Sequence, residues 1–326
     1  MASLLAKDVG RAALPVISIA GLRSPDPNDR AVVAREIRAA CVDKGFFYVC
    51  DHGVPKDLIA KVFEEVRRFF SLPVERKMTV DIAKSSAFRG YEPMRVQTLE
   101  VDTPSDIKEA FTFDRDLPLD HPSVVARRFG YGQNQWPEDL PGWRETLETY
   151  RLVMDELATL MVRGMSLSLH LSEDALDGFS GADASGTVRL IHYPPQPKNA
   201  LPDEKGCGAH TDWGAFTFLL QDDAGGLQVW DQHEGWVHAA PIPGTFVVNV
   251  GDMMARWTND LYKSTMHRVV NVSGRDRISV PFFYNGRLDY RVSCISSCLS
   301  ERETPKYPAT TPSEHLEEMV RRTFLR

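Results

Sequence analysis

Long apolar runs are missing from this sequence: no stretch of about 18 residues passes without a polar or charged interruption, so a membrane-spanning helix is not expected. Even the start, MASLLAKDVGRAALPVISIAGL, is broken by Lys7, Asp8 and Arg11, which argues against an export signal. A basic stripe is missing too. The 38 Lys and Arg are interleaved with 45 Asp and Glu for a net charge of −7, so nucleic acid is not an expected partner. Cysteine is sparse, and the five present, Cys41, Cys50, Cys207, Cys294 and Cys298, form no CxxC pair and leave one over in any disulfide scheme. That suits a reducing cytosol. With no internal repeat or low-complexity tract either, the expectation is a cytoplasmic protein with no membrane attachment and no obligate protein partner evident.

What is present is enough apolar material for a large core: 43% of the 326 residues are hydrophobic and 10% aromatic. Leu14 to Ile19 is β-branched and short, a first strand. In 30–44 the residues Val33, Ile37, Ala40 and Cys41 recur at helical spacing, and Gly45 stands where a helix would stop. A buried strand is expected over 46–49, then a helix over 55–70 with Ile59, Val62, Phe63, Val66 and Phe70 on one face and Pro73 ending it. From Glu145 to about Leu171 the stripe Tyr150, Met154, Leu157, Met161, Met165 and Leu169 predicts a long scaffold helix. The glycine-bounded stretch 178–186 is the best internal loop. Beyond it lie short apolar runs at 188–193, 215–221, 227–230, 236–239, 246–250, 267–271 and 278–284, whose spacing predicts antiparallel strands in a closed or double-sheet arrangement. The polar tail turns helical from Ser313, with Leu316, Met319, Val320 and Phe324 apolar. Four regions follow: 1–120 mixed helical and strand, 121–180 connecting with the scaffold helix, 181–290 the β core, and 291–326 the tail.

The segment that carries chemistry is His210-Thr211-Asp212, with His267 much later. On a strand, residues i and i+2 face one side, so His210 and Asp212 are able to chelate one ion from a single edge while His267 closes a third corner. Two histidines and a carboxylate leave open positions on ferrous iron, although the same ligands suit catalytic zinc with a bound water. Arg277 and Ser279, another i, i+2 pair, offer a planar donor fork and a hydroxyl to a carboxylate such as the distal one of 2-oxoglutarate. Tyr193 is able to add a phenolic donor from another side.

These motifs resemble a known family. HTD, the later His, RIS and the YPP after a short strand look like the isopenicillin N synthase-like branch of the Fe(II)/2-oxoglutarate-dependent dioxygenases. LPVISI, KGFFYVCDHGVP, RGYEP and KEAF resemble that family's N-terminal region, and HTDWGAFTFLLQD, GGLQVW, FVVNVGDMMARWTND, HRVVN and RISVPFF its catalytic core. The resemblance implies a mixed α and β fold, a distorted double-stranded β-helix or jelly-roll core flanked by helices. It also implies Fe(II) on His210, Asp212 and His267, with 2-oxoglutarate at Tyr193, Arg277 and Ser279 and O2 as the other cosubstrate. The expected reaction is oxidation of a C–H bond of a small-molecule metabolite, with release of succinate and CO2. The alternatives are an oxidase of the same fold that does not consume 2-oxoglutarate, a zinc hydrolase, and a non-catalytic binding protein. One departure is Ile191, where many plant relatives carry Asn.

Strand alternation supplies candidates for the substrate wall: Arg189 and Ile191 on the face of Tyr193, Gly214 and Phe216 on that of Asp212, and Phe283 with Arg277 and Ser279. Arg189, aimed inward, is expected to find an anionic substrate or an internal carboxylate. His192 should point away from Tyr193. His52, His233 and His238 have no comparable company, and Asp252 is assigned no metal role.

Overall fold

The computed structural model describes residues 6–7, 14–181, 183–300 and 302–324; Asp8, Arg11 and the Phe324 side chain lie outside what is described. In chain order it opens with β1 (Val16–Ser18), α1 (Pro27–Asp43), β2 (Phe46–Cys50), α2 (Lys56–Phe70) and the one-turn α3 (Val74–Lys77). Next come β3 (Gly90–Glu92), β4 (Glu109–Phe113), the short α4 (Pro122–Val125) and the long α5 (Trp143–Ser168). The remainder is β5 (Ala184–Tyr193), β6 (Cys207–His210), β7 (Phe216–Gln221), β8 (Leu227–Asp231), β9 (Gly235–His238), β10 (Phe246–Val250), α6 (Asp252–Trp257), β11 (His267–Val269), β12 (Arg277–Arg287) and α7 (Pro312–Phe324).

Local signals account for the helices. The Asp26 carboxylate accepts from the Asn28 amide to cap α1, Pro27 sits at its first turn, and Gly45 follows its end at a φ of 65°. In α5 the residues Leu147, Tyr150, Met154, Leu157, Met161 and Met165 are all buried, so the stripe seen in the sequence is its packed face. Loop 178–186 ends sooner than its glycines suggest, because Ala184 to Gly186 already pair with β12.

The strands form two sheets. One has the order β1-β2-β10-β7-β12-β5-β4-β3, the other β6-β11-β8-β9. Apart from the parallel β1–β2 pair, the pairings are antiparallel. This is the jelly-roll core with flanking helices. Strands from 1–120 and 181–290 share the larger sheet: β2 pairs with β10 and β4 with β5. Along β10, Phe246, Val248 and Val250 join the core shared with α1, α2 and α5, while Val247 joins a second core between the sheets. The same alternation along β5 and β12 turns one residue set towards the helices and the other into the space between the sheets, where the chemistry-bearing residues lie. All five cysteines are free. Among the described residues, no helix is long and apolar enough to cross a membrane.

Candidate active site

Antiparallel pairing of β6 and β11 sets His267 directly opposite His210, with ring centroids 4.3 Å apart. Asp212 does not lie on that strand as the spacing suggests, since β6 ends at His210 and the chain turns over 211–215. Other elements position it: Asn249 Nδ2 of β10 and Thr217 Oγ1 of β7 both donate to Asp212 Oδ2, at 2.7 and 2.6 Å. Oδ1 is thereby directed at the histidines, 3.8 Å from His210 Nε2 and 3.6 Å from His267 Nε2. On the far side of each ring, Nδ1 meets a backbone carbonyl, Gly208 at 2.8 Å for His210 and Thr265 at 3.2 Å for His267. A carbonyl only accepts, so Nδ1 carries the hydrogen and the Nε2 lone pair faces inward.

The three ligand atoms lie within 4.8 Å of one another. Burial pushes His267 down to about 4, and the neighbouring His210 adds to the effect; burial lowers His210 as well. For Asp212 burial opposes ionisation, yet His267, His210 and the bonds from Thr217 and Asn249 outweigh it and hold the carboxyl below its usual range. Neutral imidazoles beside a carboxylate form the protonation state a divalent cation requires. Two imidazole nitrogens and one carboxylate oxygen on one side of a cavity fit ferrous iron with positions left open.

A cavity of about 60 Å³ touches this triad and continues to Tyr193, Arg277 and Ser279. Arg277 is fully buried. Its Nε donates to the Gly225 carbonyl at 2.6 Å and its Nη1 to Ser279 Oγ at 3.0 Å, and the guanidinium sits 4.8 Å from the centre of the Tyr193 ring. Among the described residues, no carboxylate forms an ion pair with it. A buried guanidinium in that condition fits an incoming carboxylate.

A second cavity, about 240 Å³, is lined by two of the triad residues, His210 and Asp212. Arg189 and Phe283 line both cavities, and Ile191 lines the smaller. Arg189 has found an internal carboxylate: its Nη2 lies 2.6 Å from Glu92 Oε1 and also donates to Gln97 Oε1 at 3.3 Å. Phe216 is a correction. The turn after Asp212 shifts the alternation by one, so Thr217 faces Asp212 while Phe216 stacks on Tyr284 in the helix-side core. Gly214 does line the larger cavity. His192 points away from Tyr193, held by Glu109 at 2.8 Å and Asp276 at 2.9 Å.

Several contributors escaped the sequence reading. Asn249 had a signal, one polar residue on the inward parity of the apolar strand FVVNV. Glu92 and Lys108, and Leu316 and Val320 of α7, reach the two cavities only through the tertiary fold.

Comparison with known proteins agrees with this geometry. Residues 14–139 match the model for the non-haem dioxygenase in morphine synthesis N-terminal region, and 184–286 match that of the 2OG-Fe(II) oxygenase superfamily. The 2-oxoglutarate-Fe(II) type oxidoreductase hxnY of Emericella nidulans is 40% identical, over 95% of this chain and 89% of that protein. The chain belongs to the 2OG-Fe(II) oxygenase superfamily. This oxygenase is also 35% identical to the rice homoarginine-6-hydroxylase 2-ODD-233, over 96% of the chain and 98% of that protein. Its fold superposes on a full-length Neurospora crassa protein crystallised in complex with alpha-KG with a TM-score of 0.82, at 27% identity, covering 94% of this chain and 95% of that one. The oxygenase is therefore a non-haem iron enzyme that depends on Fe(II), 2-oxoglutarate and O2.

Proposed function

We propose that His210, Asp212 and His267 hold the iron, that Arg277, Ser279 and Tyr193 receive the distal carboxylate of 2-oxoglutarate, and that the 240 Å³ cavity takes a small-molecule substrate. The observation that carries the reading is one small cavity lined both by the triad and by the buried Arg277, with which no carboxylate forms an ion pair among the described residues. Iron, 2-oxoglutarate and O2 together supply the C–H oxidation, releasing succinate and CO2.

The protein's work is to bind, orient and keep the site dry. Thr217 and Asn249 fix which Asp212 oxygen faces the iron position. Arg189 and Phe283 line both cavities and Ile191 the smaller one, and the Arg189–Glu92 pair sets a charged group in the wall of the larger cavity. Leu316 and Val320 of α7 add apolar surface to the lining of the larger cavity. A small-molecule substrate accords with the Neurospora crassa structure in complex with alpha-KG and thymine, which has a TM-score of 0.81 and 28% identity.

The test is an anaerobic titration of apo-protein with Fe(II) and then 2-oxoglutarate, following the weak visible charge-transfer band of the chelate. Wild type should develop the band. Asp212→Ala should stay folded and bind iron poorly, whereas Arg277→Ala should bind iron and lose the band. Iron binding without any band in wild type would overturn the cosubstrate assignment.

A further inference from the structure

Lys108 has no part in the roles assigned so far, yet it lies in the wall of the smaller cavity with Tyr193, Arg277 and His210. Its side chain is 2% exposed. A charge that deep is expensive to keep, so its surroundings must compensate it. The ammonium bonds to Asp106 Oδ2 and lies 3.4 Å from Cys207 Sγ, a weak acceptor. Asp106 is itself shared, because its Oδ1 accepts from the Gly208 amide at 2.8 Å. An ammonium has three N–H groups, and these are the two protein partners found among the described residues.

Register explains why this charge is aimed at the cavity. β4 and β5 pair Glu109 with His192 and Ala110 with Ile191, so Lys108, one residue before β4, comes beside Tyr193 on the inward face. Ile191 brings no polar group to that face. We propose that Lys108 is a further cosubstrate-binding residue, whose remaining N–H and positive charge act on a carboxylate of 2-oxoglutarate alongside Arg277. The inference rests on the assignment of the smaller cavity to 2-oxoglutarate. Arg277 and Lys108 then put two cations around a dianion, and Asp106 keeps the ammonium in place when the cavity is empty.

A structural role through strand β6 is the rival to exclude, since Asp106 also anchors Gly208, whose carbonyl holds His210. The experiment is anaerobic titration of the Fe(II)-loaded protein with 2-oxoglutarate for wild type, Lys108→Met, Asp106→Asn and the double variant, with Fe(II) affinity measured separately. Loss of a charge-assisted hydrogen bond should weaken 2-oxoglutarate binding roughly tenfold or more in Lys108→Met. Asp106→Asn removes the counter-ion of the ammonium but leaves Lys108 available to the dianion, which then supplies the missing counter-charge, so it should weaken 2-oxoglutarate binding clearly less than Lys108→Met. Iron affinity should be unchanged in both. If Lys108→Met leaves Asp106 buried and unpaired and does not fold, the double variant, which buries no charge at this position, carries the test and should match the weakened binding. Equal weakening in both single variants, or parallel loss of iron affinity, would make the pair a strut for β6 and overturn the proposal, as would unchanged binding in Lys108→Met. Wild type that binds Fe(II) but shows no 2-oxoglutarate chelate would instead remove the cavity assignment, and the proposal with it.

Discussion

At the scale of single residues, the carboxylate of Asp212 shows how neighbours decide chemistry. Two donors from two different strands occupy Oδ2, so Oδ1 is the oxygen presented to His210 and His267. Groups that orient a metal ligand typically change metal affinity by about 10- to 100-fold when removed. Asn249→Ala and Thr217→Val should each weaken Fe(II) binding within that range, measured by competition with a chelator. Affinity equal to wild type in both would show that Asp212 is oriented by the backbone turn alone. Arg189 teaches the complementary point, since its inward charge is already paired with Glu92 and calls for no anionic substrate by itself.

At the scale of elements, α7 carries a buried titrating group, His315. His315 is 6% exposed, with no hydrogen-bond partner at Nε2, and lies near Arg256. Burial, with Arg256 adding to it, pushes this imidazole down to about 4. The unfolded chain takes up its proton near pH 6.5, so the unfolded state binds more protons between about 4 and 6.5 and stability falls as pH drops through that window. Urea midpoints at pH 7 and pH 5 should therefore differ less for His315→Gln than for wild type; an equal difference would remove His315 from the account. The junction between α1 and β2 is constrained by shape. Gly45 has a φ of 65°, and a Cβ there would stand 1.8 Å from the Lys263 carbonyl oxygen. Gly45→Ala should destabilise the protein by about 3 kcal/mol or more, seen as a large fall in the thermal midpoint. A fall of only a degree or two would contradict so tight an approach.

For the whole molecule, the decisive fact is that N-terminal strands sit inside the catalytic sheet. β10 lies between β2 and β7, and β5 between β12 and β4. Residues 181–326 expressed alone would expose the edges of β10 and β5 and the helix-side face that α1, α2 and α5 cover. That fragment should aggregate or lack cooperative unfolding by circular dichroism and size exclusion, whereas the full chain should unfold in one main transition. A monomeric, cooperatively folding fragment would show that the jelly roll is self-sufficient.

By itself the sequence determined the four long helices α1, α2, α5 and α7, though not the short α3, α4 and α6, together with the inward and outward parity of several strands and the residue types of a ferrous site with a carboxylate-binding pair beside it. Those are local properties: helical spacing, the two-residue repeat of strands, and side-chain donor sets. Tertiary structure alone decided that Asp212 stands on a turn and not on β6, which moved Phe216 into the helix-side core and brought Thr217 to the site. It also brought Glu92 to Arg189, Lys108 to the cavity beside Tyr193, and Leu316 and Val320 of α7 to the lining of the larger cavity. The reason is that these contacts join segments far apart in the chain through strand pairing and helix docking, and which distant strands become neighbours, β2 beside β10 and β4 beside β5, is a global choice that no local pattern encodes.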